Sequence, residues 1–166
     1  MKKGILTYLT MLSLLVVTGC GNSLKKEVPA ETVMPLKQDA VQEDIQKQLS
    51  NSHVNTETNE ESGITVDNYE NSEFSGYNGQ ISFYYTDDGS VIYYKWFITE
   101  KNEKKAKEIY SDVCQALSGS YGDGEENNSE ASGLYTTSFT NDKQQITAQM
   151  QKANDSGYEI SYMVVG

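Results

Sequence analysis

Few side chains in this sequence are equipped for chemistry. It holds two cysteines, Cys20 and Cys114, a single histidine, His53, and 13 basic residues, every one a lysine. A nucleophilic triad needs a base beside the nucleophile, usually histidine, and none follows His53. Downstream of residue 63 there is no Ser-x-x-Lys pair, no phosphate-cradling glycine loop and no Gly-x-Ser-x-Gly elbow. Two acids converging for glycoside chemistry would leave no mark in the spacing. No catalytic residue is therefore assigned, and an enzyme is the third-ranked reading. Metal binding fares no better. His53 has no cysteine or second histidine near it and reads as a solvated residue. Asp123, Glu125, Glu126, Asn127 and Glu130 gather oxygens in one stretch, but their spacing departs from a calcium loop, so a solvated acidic loop is expected.

Cys20 is different because of what precedes it. Lys2 and Lys3 open the chain, an apolar run follows, and Val17-Thr18-Gly19-Cys20 ends it. A positive start, a short apolar core and a small residue at the cut make a secretory signal. Its apolar core is shorter than the roughly 20 residues of a membrane-spanning helix. With cysteine directly after Gly19, the segment resembles the lipobox of bacterial lipoproteins. That resemblance implies cleavage between Gly19 and Cys20, diacylglycerol on the Cys20 thiol, and no other cofactor. It also implies a location on the cell membrane, lipid-anchored and facing outside, since two acyl chains make a stable anchor. The absence of arginine, with abundant Lys, Asn, Tyr and Ile, suggests a low-GC Gram-positive source.

Charge narrows the partners. The formal net charge is −11, and loss of Lys2 and Lys3 with the signal makes the rest more acidic still. Nucleic acid, which needs clustered cations, is excluded as a partner. With Cys20 lipidated, Cys114 has no partner for a disulfide, and the exported part relies on its core.

The chain divides into a signal (1–19), a lipidated and largely disordered tether (20–62) and one domain (63–166). The tether is polar, holds both prolines and no aromatic residue, a composition that does not offset ordering entropy. Within it, Leu36, Ala40, Val41, Ile45 and Leu49 recur at helical spacing after Pro35 and predict either a fraying amphipathic helix or a docking segment.

In the domain, residues 79–87 and 91–99 alternate in strand fashion around Asp87-Asp88-Gly89-Ser90, a hairpin turn, with a weaker strand at 66–75 before them. The second arm of the hairpin is apolar on both faces and is expected to be central. Residues 100–118 place Ala106, Ile109, Tyr110, Val113, Cys114 and Leu117 on one helical stripe, capped by Thr99 and ended by Gly119 and Gly122. Cys114 then reads as a small core residue. Three further strands are predicted at 134–140, 144–152 and 157–165. The order β-β-β-α-β-β-β gives an α+β domain: an antiparallel sheet with one amphipathic helix on one face. That order, with the Leu117…Tyr121-Gly122 helix exit, is similar to small exported lipoprotein domains and implies no activity.

Tyrosine is the compositional excess, at 12 residues. If one sheet face lacks a helix, Tyr84, Tyr94 and Trp96 are the candidates for an exposed binding surface. The expected role is a non-catalytic binding or interaction module for a protein or glycan at the cell surface. The alternative is an acidic inhibitor or immunity factor against a cationic cell-wall enzyme, with residues 123–130 as a protruding loop.

Overall fold

The computed structural model describes residues 28–36, 39–129, 131–140, 144–153 and 157–165. The lipobox, with Gly19 and Cys20, lies outside them, as does Glu130. Helix α1 (Gln42–Gln48) leads into strands β1 (His53–Asn59), β2 (Ile64–Phe74), β3 (Tyr77–Tyr85) and β4 (Val91–Glu100). Helix α2 (Glu103–Tyr121) leads into β5 (Glu125–Ser129), β6 (Leu134–Thr140), β7 (Gln145–Ala153) and β8 (Gly157–Val165). The strands make one antiparallel sheet in the order β1-β2-β3-β4-β8-β7-β6-β5. Helix α2 lies across β8, β7, β6 and β4, so the architecture is α+β, as expected.

The strands read from alternation are present, and β4 is central. The two unforeseen strands are the two edges. Every residue of β1 and of β5 is exposed, so neither carries the apolar alternation that betrays a half-buried strand. Residues 125–129, inside the protruding loop expected at 123–130, are accordingly a paired strand: β5 pairs with β6 from Glu125↔Ser138 to Ser129↔Leu134.

Helix α2 begins later and ends later than the sequence suggests. Its cap is Asn102, not Thr99, and the Asn102 side chain accepts from the Lys105 amide at 3.0 Å. Gly119 sits inside the helix because a Cβ there would come within 2.5 Å of the Ala30 Cβ. Gly122, with φ of 82°, ends it. The stripe buries Ala106, Ile109, Val113, Ala116 and Leu117.

The domain also starts earlier than Gly63, which corrects the tether. Val33 is 1% exposed, the Glu31 amide donates to the Ala116 carbonyl, and Tyr94 Oη donates to the Met34 carbonyl at 2.6 Å. Residues 28–36 thus strap α2 to the sheet. Ile45 buries the inner side of α1, a two-turn helix, and β1 completes the sheet edge.

Each half of this fold is a helix followed by a four-strand meander, and the halves meet at β4 and β8. The registers coincide over the middle of the strands. Tyr69↔Ile81 and Asp67↔Phe83 in the first half match Phe139↔Ile146 and Thr137↔Ala148 in the second. Phe83↔Tyr94 and Ile81↔Trp96 match Ala148↔Tyr162 and Ile146↔Val164. The β1–β2 and β5–β6 turns both end on a glycine of positive φ, Gly63 (68°) and Gly133 (65°). Short stretches echo one another: Ser62-Gly63-Ile64 and Ser132-Gly133-Leu134, Gln80-Ile81-Ser82 and Gln145-Ile146-Thr147. Asp44-Ile45 with Leu49-Ser50 likewise echoes Asp112-Val113 with Leu117-Ser118.

Candidate functional site

Strand alternation sends successive side chains to opposite faces of a sheet, so register decides which aromatics reach solvent. Between Tyr84↔Tyr93 and Tyr85↔Val91 the pairing skips Ile92, a β-bulge in β4. The bulge reverses the parity that simple alternation assigns beyond it. Tyr94 then stands opposite Phe83 and Trp96 opposite Ile81, on the helix face.

The expected surface of Tyr84, Tyr94 and Trp96 is corrected accordingly. Tyr94 and Trp96 are both 0% exposed. Trp96 Nε1 donates to the Ser72 carbonyl at 2.8 Å and its ring stacks on Tyr162, centroids 5.6 Å apart. Gly79 makes room for it, since a Cβ there would lie 2.6 Å from the indole. Only Tyr84 of the three faces outward.

The opposite face carries the chain neighbours of Tyr94 and Trp96. Tyr93, Lys95 and Phe97 of β4 lie there, half-buried, beside Tyr84 of β3 and Met163 and Val165 of β8. Val66, Tyr84, Tyr93 and Val165 are consecutive cross-strand partners on β2, β3, β4 and β8. They form an apolar and aromatic ridge across the middle of the sheet. Tyr84 and Tyr93 stack at 4.2 Å with 19° between ring planes. Burial, and then Tyr84, raises the Tyr93 phenol above its ordinary pKa, so its hydroxyl stays a protonated donor at neutral pH.

Behind the ridge runs a polar band. Lys95 Nζ meets Glu159 Oε1 at 2.6 Å and lies 5.5 Å from the Phe97 ring centroid. Gln151 also donates to Glu159, at 3.2 Å, and Ser82 donates to Asn68 at 2.6 Å. Both helices and the 28–36 strap pack on the other face, so among the described residues nothing covers this one. The arrangement offers apolar area, phenolic and amide hydrogen bonds and a neutralised ion pair.

The helix face holds one polar cluster that the sequence reading missed. Asp67 is 0% exposed. It accepts from Gln42 Nε2 at 3.1 Å and Gln46 Nε2 at 2.9 Å, from the Thr56 hydroxyl, and from Tyr69 Oη at 3.4 Å. His53 Nε2 is 3.7 Å from the carboxylate, so this exposed residue lies against the fold while still meeting solvent. Burial pushes the Asp67 pKa up, but the hydrogen bonds from Thr56, Gln42 and Gln46 and the charge of His53 outweigh it and hold it low. The cluster ties α1 and β1 to the sheet. The signal available in the sequence was an acid on the Tyr69 side of a strand, with Gln42 and Gln46 at helical spacing to meet it.

Cys114 lies half-buried on α2, packed on the core, and burial raises its thiol pKa. Among the described residues no group of three His, Cys, Asp or Glu side chains is placed to hold a metal ion, and no helix is long and apolar enough to cross a membrane. The chain matches no family model, no curated protein and no solved structure.

Proposed function

We propose that this protein is a non-catalytic binding module, held at the outer side of the cell membrane by diacylglycerol on Cys20, that receives a protein or glycan on the open sheet face. The observation that supports it is the uncovered ridge of Val66, Tyr84, Tyr93 and Val165 across four strands. Tyrosines rigidly stacked on a sheet give contact area at low entropic cost, with hydroxyls at the tip. Lipid at the N-terminus leaves the sheet free of any membrane role.

Diazirine cross-linkers placed at Phe97, on the open face, and at Glu108, on the exposed side of α2, test the reading in living cells. An adduct from position 97 that position 108 does not give is the expected result. No adduct from 97, or the same adduct from both, overturns it. Intact mass of the membrane fraction, native against Cys20→Ala, tests the anchor separately: the native chain carries the lipid mass and the variant does not.

The second reading, an acidic inhibitor or immunity factor against a cationic cell-wall enzyme, draws on β5, a free sheet edge that presents exposed Glu125 and Glu126. Edge strands recruit partner strands. That reading requires cross-links at β5 and binding that collapses at high salt.

A further inference from the structure

We propose a second site on the helix side of the sheet: a cavity between the 28–36 strap and the end of β2 that binds a primary ammonium group carried on a single ring. It goes beyond the surface role above and shares no residue with the ridge.

Two matching tyrosines point to it. Tyr94 and Tyr162 hold the same place in the two halves, opposite Phe83 and Ala148. Tyr94 Oη donates to the Met34 carbonyl of the strap. Tyr162 is only 4% exposed, yet among the described residues its hydroxyl has no hydrogen-bond partner, and it is not sealed from solvent. It opens onto a cavity of about 290 Å³ that Tyr162 lines. That volume takes one ring and a short arm, since an apolar cavity of ~150 Å³ holds a benzene. Buried Phe74 and Ile81 line it too, with Met34 of the strap and Leu49 at the end of α1. The lining segments, 31–34, 49–52, 70–74, 81 and 162, run unbroken through the described residues.

Glu31 supplies a fixed charge beside that hydroxyl. It is half-buried, and its Oε2 accepts from the Ser75 amide at 2.7 Å, which holds the carboxylate at the cavity and leaves Oε1 without a partner among the described residues. Burial first, and then the Glu31 charge, raises the Tyr162 pKa, so the phenol lies within reach of that charge and stays protonated. Glu70 and Glu73 stand exposed on the same lining, which among the described residues holds no lysine or histidine. An ammonium group donates one N–H to Glu31 and one to the Tyr162 oxygen, with its ring beside Phe74 and Ile81. A charged donor makes a hydrogen bond roughly twice as strong as a neutral one. An alcohol of the same shape loses that advantage, and a carboxylate meets the Glu31 charge directly.

Benzylamine, benzyl alcohol and benzoate share one ring and differ in the head. Each is titrated into the full chain in a non-ionic detergent and followed by amide NMR, with Ser75, bonded to Glu31, as the reporter. Benzylamine is expected to move the Ser75 signal and to bind at least about tenfold more tightly than the alcohol, and benzoate not at all. Glu31→Gln keeps an acceptor for Ser75 and should remove that preference. Tyr162→Phe should weaken the amine about fivefold without lowering the melting temperature, because the hydroxyl bonds nothing in the fold. Tyr94→Phe, which loses the Met34 bond, should lower it. If Glu31→Gln does not fold, Tyr162→Phe decides alone. No shift at Ser75 with millimolar benzylamine, equal binding of amine and alcohol, affinity that ignores both variants, or a lower melting temperature in Tyr162→Phe would each overturn the proposal. Shifts scattered over other acidic residues instead of Ser75 mean surface attraction only and overturn it too. The cross-linking result at Phe97 is untouched by any of these outcomes.

Discussion

Positions 67 and 137 hold the same place in the two halves of the sheet, and their chemistry is opposite. Asp67 is a fully buried carboxylate ringed by donors: two amides from α1, a hydroxyl from β1 and a phenol. Thr137, 6% exposed, shares a 2.8 Å hydrogen bond with Tyr110 of α2 and pairs across the strand with Glu126. The reason lies in what covers each one. A long helix such as α2 adheres through its apolar stripe and asks little of the residue beneath. Helix α1 has two turns and one buried side chain, Ile45, too little apolar area to hold it. Charge-assisted hydrogen bonds supply the rest. The same framework is thus fastened by packing in one half and by a buried ion in the other.

The hardest test of that contrast is to give the second half the first half's residue. Thr137→Asp buries a carboxylate across the strand from Glu126, in place of a hydroxyl that shares a hydrogen bond with Tyr110 of α2. The expected loss is about 3–5 kcal/mol of stability, as for an uncompensated buried charge, read from urea denaturation. A loss below about 1 kcal/mol would mean that the site is wet, and that the asymmetry is decorative.

Removing the carboxylate from the first half should cost less and act locally. Asp67→Ala strands Gln42, Gln46 and Thr56, for an expected loss of about 2–3 kcal/mol. The effect should concentrate in α1 and β1. Acid gives the same perturbation without mutation. Asp67 has a lowered pKa in the fold, so its contribution is complete above the unfolded value of about 3.9. It disappears as pH falls through the folded value. Asp88, held low by the Thr86 hydroxyl, and Glu100, held low by the Asn102 amide, titrate in the same direction. Glu103, held low by Lys107, does so too, and a global acid transition would mix all four, so the readout is residue-resolved amide exchange. Protection in β1 should fall before that in β5. Simultaneous loss, or earlier loss in β5, removes Asp67 as the fastener.

How much of this was legible beforehand follows the same division. The strands β3, β4, β6, β7 and β8 and the helix α2 announce themselves because each buries one face and exposes the other, and burial writes a period into the sequence. The edges β1 and β5 bury nothing and write none. Residues 28–36 were hidden by averaging: they are a short apolar stretch with one fully buried residue, Val33, inside a longer segment whose composition as a whole is that of a tether. The candidate surface failed by one residue. Tyr84 and Tyr85, like Tyr93 and Tyr94, point to opposite faces, but the skipped Ile92 shifts the assignment in β4. A bulge is a local backbone event with no periodic trace. The repeat itself is nearly silent, because matched positions such as Asp67 and Thr137 or Phe83 and Ala148 keep a place and not a chemistry.

The smallest effects separate the two helices at their first turns. Asn102 caps α2 with its side chain, whereas α1 starts from Val41, which makes no side-chain cap hydrogen bond. Asn102→Ala should cost about 1 kcal/mol. Val41→Ser should do the reverse, adding about 0.5–1 kcal/mol to α1 by accepting an amide of its first turn. Val41 is 38% exposed, so little packing is lost in the exchange. If α1 is held chiefly by Asp67, the gain from Val41→Ser should survive at neutral pH and grow in importance in Asp67→Ala, where the helix has lost its main fastening. Amide exchange within α1 measures both. A Val41→Ser gain confined to the wild-type background, and absent from Asp67→Ala, would show that the helix does not persist without the carboxylate. In that case Asp67 is required for α1 to form at all.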